Sequence, residues 1–383
     1  MKRGCTQCGE CLRVCPVYAM FGREEYAPKG KRILMEPLDP EYGNGIPVPE
    51  ELAWERVRKL SRLCAGCGRC ARVCARKLST AELLADVRSR NPHWTQFMWQ
   101  MWIRAMGGLW PMAGRMAMLI PKGMTNSGDI GGLINMARSL VAKPAPAPWF
   151  TLKPASRVAS KRVMVFSGCT AKYARPAWTE KAARLLRHWG YVVIDSNDFV
   201  CCGGTLHHAG AYKAEAEVRE HNIRVWKDMG EPLVATFCAS CLHSLHSYAA
   251  HMDNREDIAL WQERVLPLSL LLTDPVVTRT ANAPKIVGYH EPCHWNGRDE
   301  DKPLLAKGLE VRKGTGLCCG MGGILKMSDA GLSAAMARAC LDKMPGECRE
   351  ILTGCSGCVM QLAGEAEKDR EVRHWLDVCD TAD

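Results

Sequence analysis

Ten cysteines in the last two thirds of this chain form two sets with matched internal spacing. Cys201-Cys202-Gly203-Gly204 is followed, after 35 residues, by the C-x-x-C pair Cys238 and Cys241. Cys318-Cys319-Gly320-Met321-Gly322-Gly323 is followed, after the same 35 residues, by Cys355 and Cys358. One further cysteine precedes each pair, Cys169 in the first set and Cys293 in the second. Two such sets imply a duplicated scaffold built around metal or cluster ligation. The chain holds 21 cysteines in 383 residues, in tight C-x-x-C groups rather than a disulfide framework. Free thiols in that number belong in a reducing compartment.

The first third carries a different pattern. Cys5, Cys8, Cys11 and Cys15 are spaced x2, x2, x3, and Cys64, Cys67, Cys70 and Cys74 repeat that spacing. This is the bacterial ferredoxin run, in which three cysteines wrap one cubane and the fourth reaches the other. The spacing therefore predicts Cys5, Cys8, Cys11 and Cys74 around one 4Fe–4S cluster, and Cys64, Cys67, Cys70 and Cys15 around a second. Gly9, Gly66 and Gly68 are expected to let backbone amides approach the sulfurs. Zinc knuckles also use C-x-x-C pairs, but zinc needs four ligands and has no use for the doubled x2-x2-x3 run. Between the runs, Ala27 to Pro49 reads as an irregular Pro- and Gly-rich excursion, and Glu50 to Leu63 as a helix.

Residues 92 to 122 hold Trp94, Trp99, Trp102 and Trp110 among six methionines and no cysteine. An apolar stripe of this kind usually packs into a core. Its tryptophan density also suits a surface that docks on a partner or a membrane. The stiff Lys143-to-Pro148 stretch marks a domain boundary, and with it the expectation that the two cysteine systems are independent. Beyond it the pattern alternates strand and helix. Strands are expected at Lys161–Ser167, Tyr191–Asp195, Leu233–Phe237, Lys285–Tyr289 and Glu350–Thr353. Helices are expected at Pro176–Trp189, Ala211–Met229 and Ser328–Met344. Such alternation implies parallel sheets with ligands at the C-terminal strand ends.

The formal charge of +10 is spread along the chain, and thiolate-bound clusters offset part of it, so nucleic-acid binding is not expected. No signal peptide is expected, and no 18-residue uncharged apolar run or strand-following G-x-G-x-x-G is found. A cytoplasmic location is expected, including the cytoplasmic face of the inner membrane. Hydride chemistry is expected to belong to another polypeptide.

From Cys5 to about Leu362 the chain resembles iron–sulfur proteins with two cubanes and two CCG domains. These include the heterodisulfide reductase catalytic subunit and the iron–sulfur subunits of glycolate oxidase, lactate dehydrogenase and anaerobic glycerol-3-phosphate dehydrogenase. The resemblance implies an α/β protein in four parts: a helical dicluster ferredoxin domain (1–90), a helical connector with the proline linker (91–155), and two duplicated Rossmann-like CCG domains (156–275 and 276–383). It also implies a noncubane 4Fe–4S cluster on Cys169, Cys201, Cys202, Cys238 and Cys241. A second is implied on Cys293, Cys318, Cys319, Cys355 and Cys358. The second set departs from the family spacing, with 24 residues from Cys293 to Cys318 against 31 from Cys169 to Cys201.

Electron transfer within a multi-subunit oxidoreductase is the function implied, with a flavoprotein, a quinone-reactive membrane subunit or a cytochrome as partner. Residues 94–118 are the stretch expected to dock on the membrane or a partner. The alternative is thiol–disulfide reduction at the noncubane clusters. His290 and His294, beside Cys293, are the candidates for proton delivery, since imidazole titrates near neutral pH. His207, His208, His243 and His246 also sit beside ligand cysteines. Cys340, Cys348 and Cys379 match no motif and read as packed thiols.

Anaerobically purified protein is expected to carry about 12–16 iron atoms, four per cluster. Metal analysis that found zinc instead, or fewer than about eight irons after reconstitution, would remove the basis for this reading.

Overall fold

The computed structural model describes residues 4–35, 57–90, 103–121, 137–141, 144–157, 160–194, 197–314, 316–367 and 369–382, with isolated positions at 92, 97, 100, 101 and 134. Trp94, Met98, Trp99, Trp102 and segment 36–56 lie outside the described residues.

Eleven strands are described, in chain order: β1 (Phe150–Pro154), β2 (Arg162–Phe166), β3 (Val192–Ile194), β4 (Leu233–Thr236), β5 (Val265–Pro267), β6 (Pro275–Arg279), β7 (Val287–Tyr289), β8 (Val311–Lys313), β9 (Glu350–Thr353), β10 (Glu371–His374) and β11 (Cys379–Thr381). Four form a parallel sheet in the order β3-β2-β4-β5, and four more a parallel sheet in the order β8-β7-β9-β10. Renumbered within each half, both orders are 2-1-3-4, so the duplication read from the cysteines is a duplication of topology. Central strands buried on both faces need continuous apolar runs. Val163 to Phe166 in β2 and Leu233 to Thr236 in β4 are buried throughout.

The connection from β2 to β3 runs through the helix Pro176–Trp189. Pro176 opens it, where a missing N–H costs nothing. Gly190 closes it at φ 97°. Trp178, Ala182, Leu185, Leu186 and Trp189 recur at helical spacing and form the buried face. The corresponding helix of the second half, Asp301–Ala306, has 6 residues instead of 14. The shorter gap from Cys293 to Cys318 is absorbed there, in the layer covering the sheet, and the strand ends that carry the cysteines keep their places.

A third sheet, in the order β11-β1-β6, was not legible in the sequence. In it β1 runs parallel to β11 and antiparallel to β6. These strands flank the two halves: β1 precedes the first, β6 joins them and β11 follows the second. One core cluster includes Phe150 and Leu152, with Val163, Trp178 and Trp189 of the first half and Val287, Leu304 and Trp375 of the second. The strand at Phe150–Pro154 lies immediately past the proline stretch and belongs to this core.

The excursion expected at Ala27–Pro49 contains a helix, Pro28–Met35. It starts on a proline and turns its basic side chains inward. Lys31 Nζ donates to the carbonyl of Leu63, and Arg32 Nη2 to that of Ser79 at 2.6 Å. Those long-range partners override the local turn signals. In the Trp/Met segment, the helix Met106–Met118 buries Met106, Trp110, Gly114 and Ala117 while exposing Met112, Met116 and Met118. Among the described residues, no helix is long and apolar enough to cross a membrane.

Phe150 is fully buried where the three sheets meet. Phe150→Ala is expected to cost about 3–5 kcal/mol and to lower one shared thermal transition. Calorimetry that showed one half unfolding alone, with the other unshifted, would mean that the third sheet does not join them.

Candidate metal centres

Two pockets lie within the first third. Cys5, Cys8, Cys11 and Cys74 line one, together with Cys70. Cys15, Cys64, Cys67 and Cys70 line the other. The fourth cysteine of each run thus lies with the first three of the other, as the spacing requires. Gly9, Gly66 and Gly68 all have positive φ, and the amide of Gly66 donates to Cys64 Sγ at 3.4 Å. Cys8 is exposed and Cys67 buried, so the first pocket faces outward and the second inward. Lys31 is buried beside Cys15 and Cys64. Burial pulls its pKa down, while the two thiols pull it up.

In the two halves, the cysteines sit in the segments that follow the C-terminal ends of the strands, at or ahead of the next helix. Cys238 follows β4 and caps the helix Ala239–Ser247, which carries Cys241. Cys355 follows β9 and caps the helix Ser356–Glu365, which carries Cys358. Helix N-termini favour negative charge, so they suit thiolates. Gly203 and Gly320, at φ 76° and 81°, turn their amides back onto Cys201 Sγ and Cys318 Sγ, both at 3.4 Å.

The ten thiols form one continuous row. Each lies within hydrogen-bonding reach of the next, in the order Cys169, Cys201, Cys202, Cys241, Cys238, Cys355, Cys358, Cys319, Cys318, Cys293. The row reads the same from either end, because each cysteine of the first half mirrors its counterpart in the second. Cys319 and Cys358 are 3.3 Å apart, and the halves meet where Cys238 faces Cys355. Ser240 Oγ, at 3.2 Å from Cys355 Sγ, crosses the same boundary.

Thiols packed this closely share protons. Cys202, Cys238 and Cys318 are held well below the ordinary thiol pKa by hydrogen bonds from neighbouring thiols. Cys201, Cys241 and Cys293 are pushed well above it, mainly by thiol neighbours. Full ionisation of the row requires a cationic core among the sulfurs. A cavity of about 150 Å³ adjoins all five cysteines of the first set. Gly168 makes room there, since a Cβ at that position would stand 2.7 Å from Cys241 Sγ. The donor set, the cavity and the crowding all fit iron–sulfur ligation.

The ferredoxin portion packs directly against this row. A Cβ on Gly322 would overlap the carbonyl oxygen of Ala65, and one on Gly323 would stand 3.1 Å from that of Cys64. His294 Nε2 lies 3.3 Å from the Gly66 carbonyl, and its Nδ1 lies 2.9 Å from Ser240 Oγ. His243 stacks on His294 at 4.7 Å. His208 touches the same loop, within 2.9 Å of where a Gly66 Cβ would be. His246 bonds the Val265 carbonyl instead. Burial lowers the pKa of His290 and of His243 to about 4, and it also lowers those of His294 and His208.

Three arginines and a lysine act at this junction without having been singled out in the sequence. Arg69 opposes its own burial with Cys318, Cys293, Cys67 and Cys319, and the thiols raise its pKa. Arg72 donates to the Cys293 carbonyl at 3.4 Å and to Asn296. Arg88 donates to the carbonyls of His208, at 2.5 Å, and Ser61. Together with Lys31, they place positive charge where thiolates converge. Arg69 was findable, because it lies inside the Cys64–Cys74 run. Cys348 and Cys379 are buried away from the row, whereas Cys340 meets His290 Nδ1 at 3.4 Å.

Residues 2–78 match the 4Fe-4S dicluster domain family, and residues 163–246 and 287–363 each match the cysteine-rich domain family. The chain is an iron–sulfur protein with one dicluster and two cysteine-rich domains. This dicluster protein is 23% identical to the glycolate oxidase iron-sulfur subunit of Escherichia coli, over 99% of this chain and 94% of that one. It is 24% identical to one subunit of the dihydromethanophenazine:CoB–CoM heterodisulfide reductase of Methanosarcina acetivorans, over 94% and 87%. It is 24% identical to one subunit of the CoM/CoB fumarate reductase of Methanothermobacter marburgensis, over 99% and 72%. Like these relatives, the dicluster protein is an oxidoreductase subunit.

Glu82 and His207 form an ion pair, at 2.7 Å, from the helix Thr80–Arg90 to the helix Gly204–Ala209. Glu82 raises the His207 pKa above its ordinary 6.5, and His207 lowers that of Glu82 below 4.5. The histidine contribution is complete below pH 6.5 and is lost as pH rises through the raised value. The glutamate contribution is complete above pH 4.5 and is lost as pH falls through the lowered value. The melting-temperature difference between wild type and Glu82→Gln should therefore be greatest near pH 5–6 and shrink on both sides. A difference independent of pH would show that the pair does not hold the domains together.

Proposed function

We propose that the chain is the electron-transfer subunit of a multi-subunit oxidoreductase, with its ligand sets arranged in series. The outer cubane is assigned to Cys5, Cys8, Cys11 and Cys74, and the inner cubane to Cys15, Cys64, Cys67 and Cys70. Noncubane 4Fe–4S clusters are assigned to both five-cysteine sets. When bound, these groups supply one-electron redox chemistry. The chain itself spaces them, excludes water around the inner sets and balances their charge with Arg69, Lys31 and Arg88.

The observation that carries this reading is the junction. Cys67 of the inner ferredoxin pocket is near enough to Cys318 of the ten-thiol row for their charges to interact, and Arg69 feels both. Exposed Cys8 marks the outer end, where a flavoprotein, quinone-reactive or cytochrome partner would exchange electrons. The exposed methionines of Met106–Met118 support a second contact, with that partner or with a membrane on its cytoplasmic side. Proton delivery is assigned to His294, which links Ser240 of the row to the ferredoxin loop.

Disulfide reduction is the second reading, and the mirror arrangement of the row favours it. By analogy with heterodisulfide reductases, it calls for two equivalent centres face to face. The spacing of the second set argued against such equivalence, but the shortened helix absorbs the difference. The two readings separate in one experiment on the isolated, reduced subunit. A relay passes electrons to a one-electron dye and leaves small disulfides intact. Rapid stoichiometric reoxidation by a thiol-cofactor disulfide, lost in Cys201→Ala and Cys318→Ala with the cubanes retained, would replace the relay with the reductase.

A further inference from the structure

The duplication allows the two five-cysteine sets to be compared position by position, and at one place they differ in chemistry. Cys202, Cys238 and Cys241 map onto Cys319, Cys355 and Cys358 with a constant offset of 117 residues. On the leading strands the match follows the sheet register. Phe166 of β2 pairs with Thr236 of β4. Tyr289 of β7 pairs with Leu352, and the next residue, His290, donates its amide to the Leu352 carbonyl at 2.9 Å. His290 therefore stands opposite Thr353, the counterpart of Thr236. Both Phe166 and His290 come three residues before the leading cysteine of their set. So His290 occupies the position that Phe166 occupies in the first half.

Phe166 is fully buried and packs on Phe199, with ring centroids 5.2 Å apart. The helix Tyr212–Asp228 packs Ile223 against the same core cluster, at the position where the second half has Cys340. An apolar pair in one half is thus replaced in the other by an imidazole and a thiol 3.4 Å apart. Burying a polar pair in place of a hydrocarbon one costs free energy unless a ligand or hydrogen bonds compensate.

The His290 ring points at the ligand thiols. A ring nitrogen of His290, Cys319 Sγ and Cys358 Sγ all lie within 4.8 Å of one another, and all three residues are buried. Donors on one tetrahedral metal ion, with thiolate bonds of about 2.3 Å and imidazole bonds of about 2.0–2.1 Å, stand roughly 3.5–3.8 Å apart. With the two sulfurs 3.3 Å apart and all three donors inside 4.8 Å, the trio brackets that spacing. Cys340, against Nδ1, fixes the orientation of the ring, as the outer partners of ligating histidines do.

We infer that His290 is an iron ligand of the second centre, alongside Cys319 and Cys358, so that the second centre is a mixed thiolate–imidazole site while the first is bound by thiolates alone. The inference rests on the proposed iron–sulfur centre at the second set. Neutral imidazole in place of thiolate leaves a centre less negative, and histidine ligation raises the potential of iron–sulfur centres. The two centres, alike in fold, are then unequal in potential, with the second the higher.

The test uses full-length, anaerobically purified protein labelled with nitrogen-15 histidine, in a Cys202→Ala background that removes the first centre. Pulsed EPR of the remaining second centre should show a strongly coupled histidine nitrogen. That coupling should vanish in His290→Phe, which installs the residue of the first half, and in His290→Cys, which restores a ligand and keeps the iron. In the otherwise wild-type chain, the second centre should titrate above the first, and His290→Cys should narrow that gap. Iron at the second set with no histidine coupling, or coupling unchanged in both variants, would overturn the inference and leave the iron–sulfur reading standing. A second set that holds no iron in the wild type would overturn both.

Discussion

The structure depends on how closely ten sulfurs can be brought together. Thiolates repel at short range, and a buried site gives that repulsion little screening. A row in which each sulfur lies within hydrogen-bonding reach of the next is therefore tenable only if protons or a cationic core occupy the gaps. The rest of the fold answers to this. Helix N-termini are aimed at the row, glycines at 168, 203 and 320 keep side chains out of it, and Arg69 brings a compensating charge. Two parallel sheets supply the strand ends on which the cysteines stand.

Much of this was legible in the sequence, because the chemistry required local spacing. The ferredoxin runs and the two five-cysteine sets are patterns of close neighbours. The helix Pro176–Trp189 and the strand Glu350–Thr353 were legible to the residue, since periodicity and flanking turn residues agree there. The third sheet was not. Its strands are short, β6 is largely exposed, and β1 and β11 are far apart in the chain, so no local pattern marks their pairing. The inward turn of Lys31 and Arg88 was hidden for a related reason. Basic side chains normally face water, and only the folded arrangement shows what they neutralise.

The mirrored row also changes how the short second motif is understood. Counting residues made Cys293 and Cys318 look too close for a site equivalent to the first. The count measures chain length, and the difference lies in a helix on the outside of the sheet. Beside the row, the halves differ in chemistry where the phenyl ring of Phe166 gives way to the imidazole of His290 and Ile223 to the thiol of Cys340, at positions that cysteine spacing does not register.

The β11-β1-β6 sheet has a mechanical consequence. Domains joined by one linker usually swing against each other. Here the strand before the first half, the strand between the halves and the strand after the second are laddered together, so a hinge opening would have to tear backbone pairing. The separations between redox sites within these halves are then constant. Whatever passes between the two cysteine sets meets a braced frame and not a swinging joint.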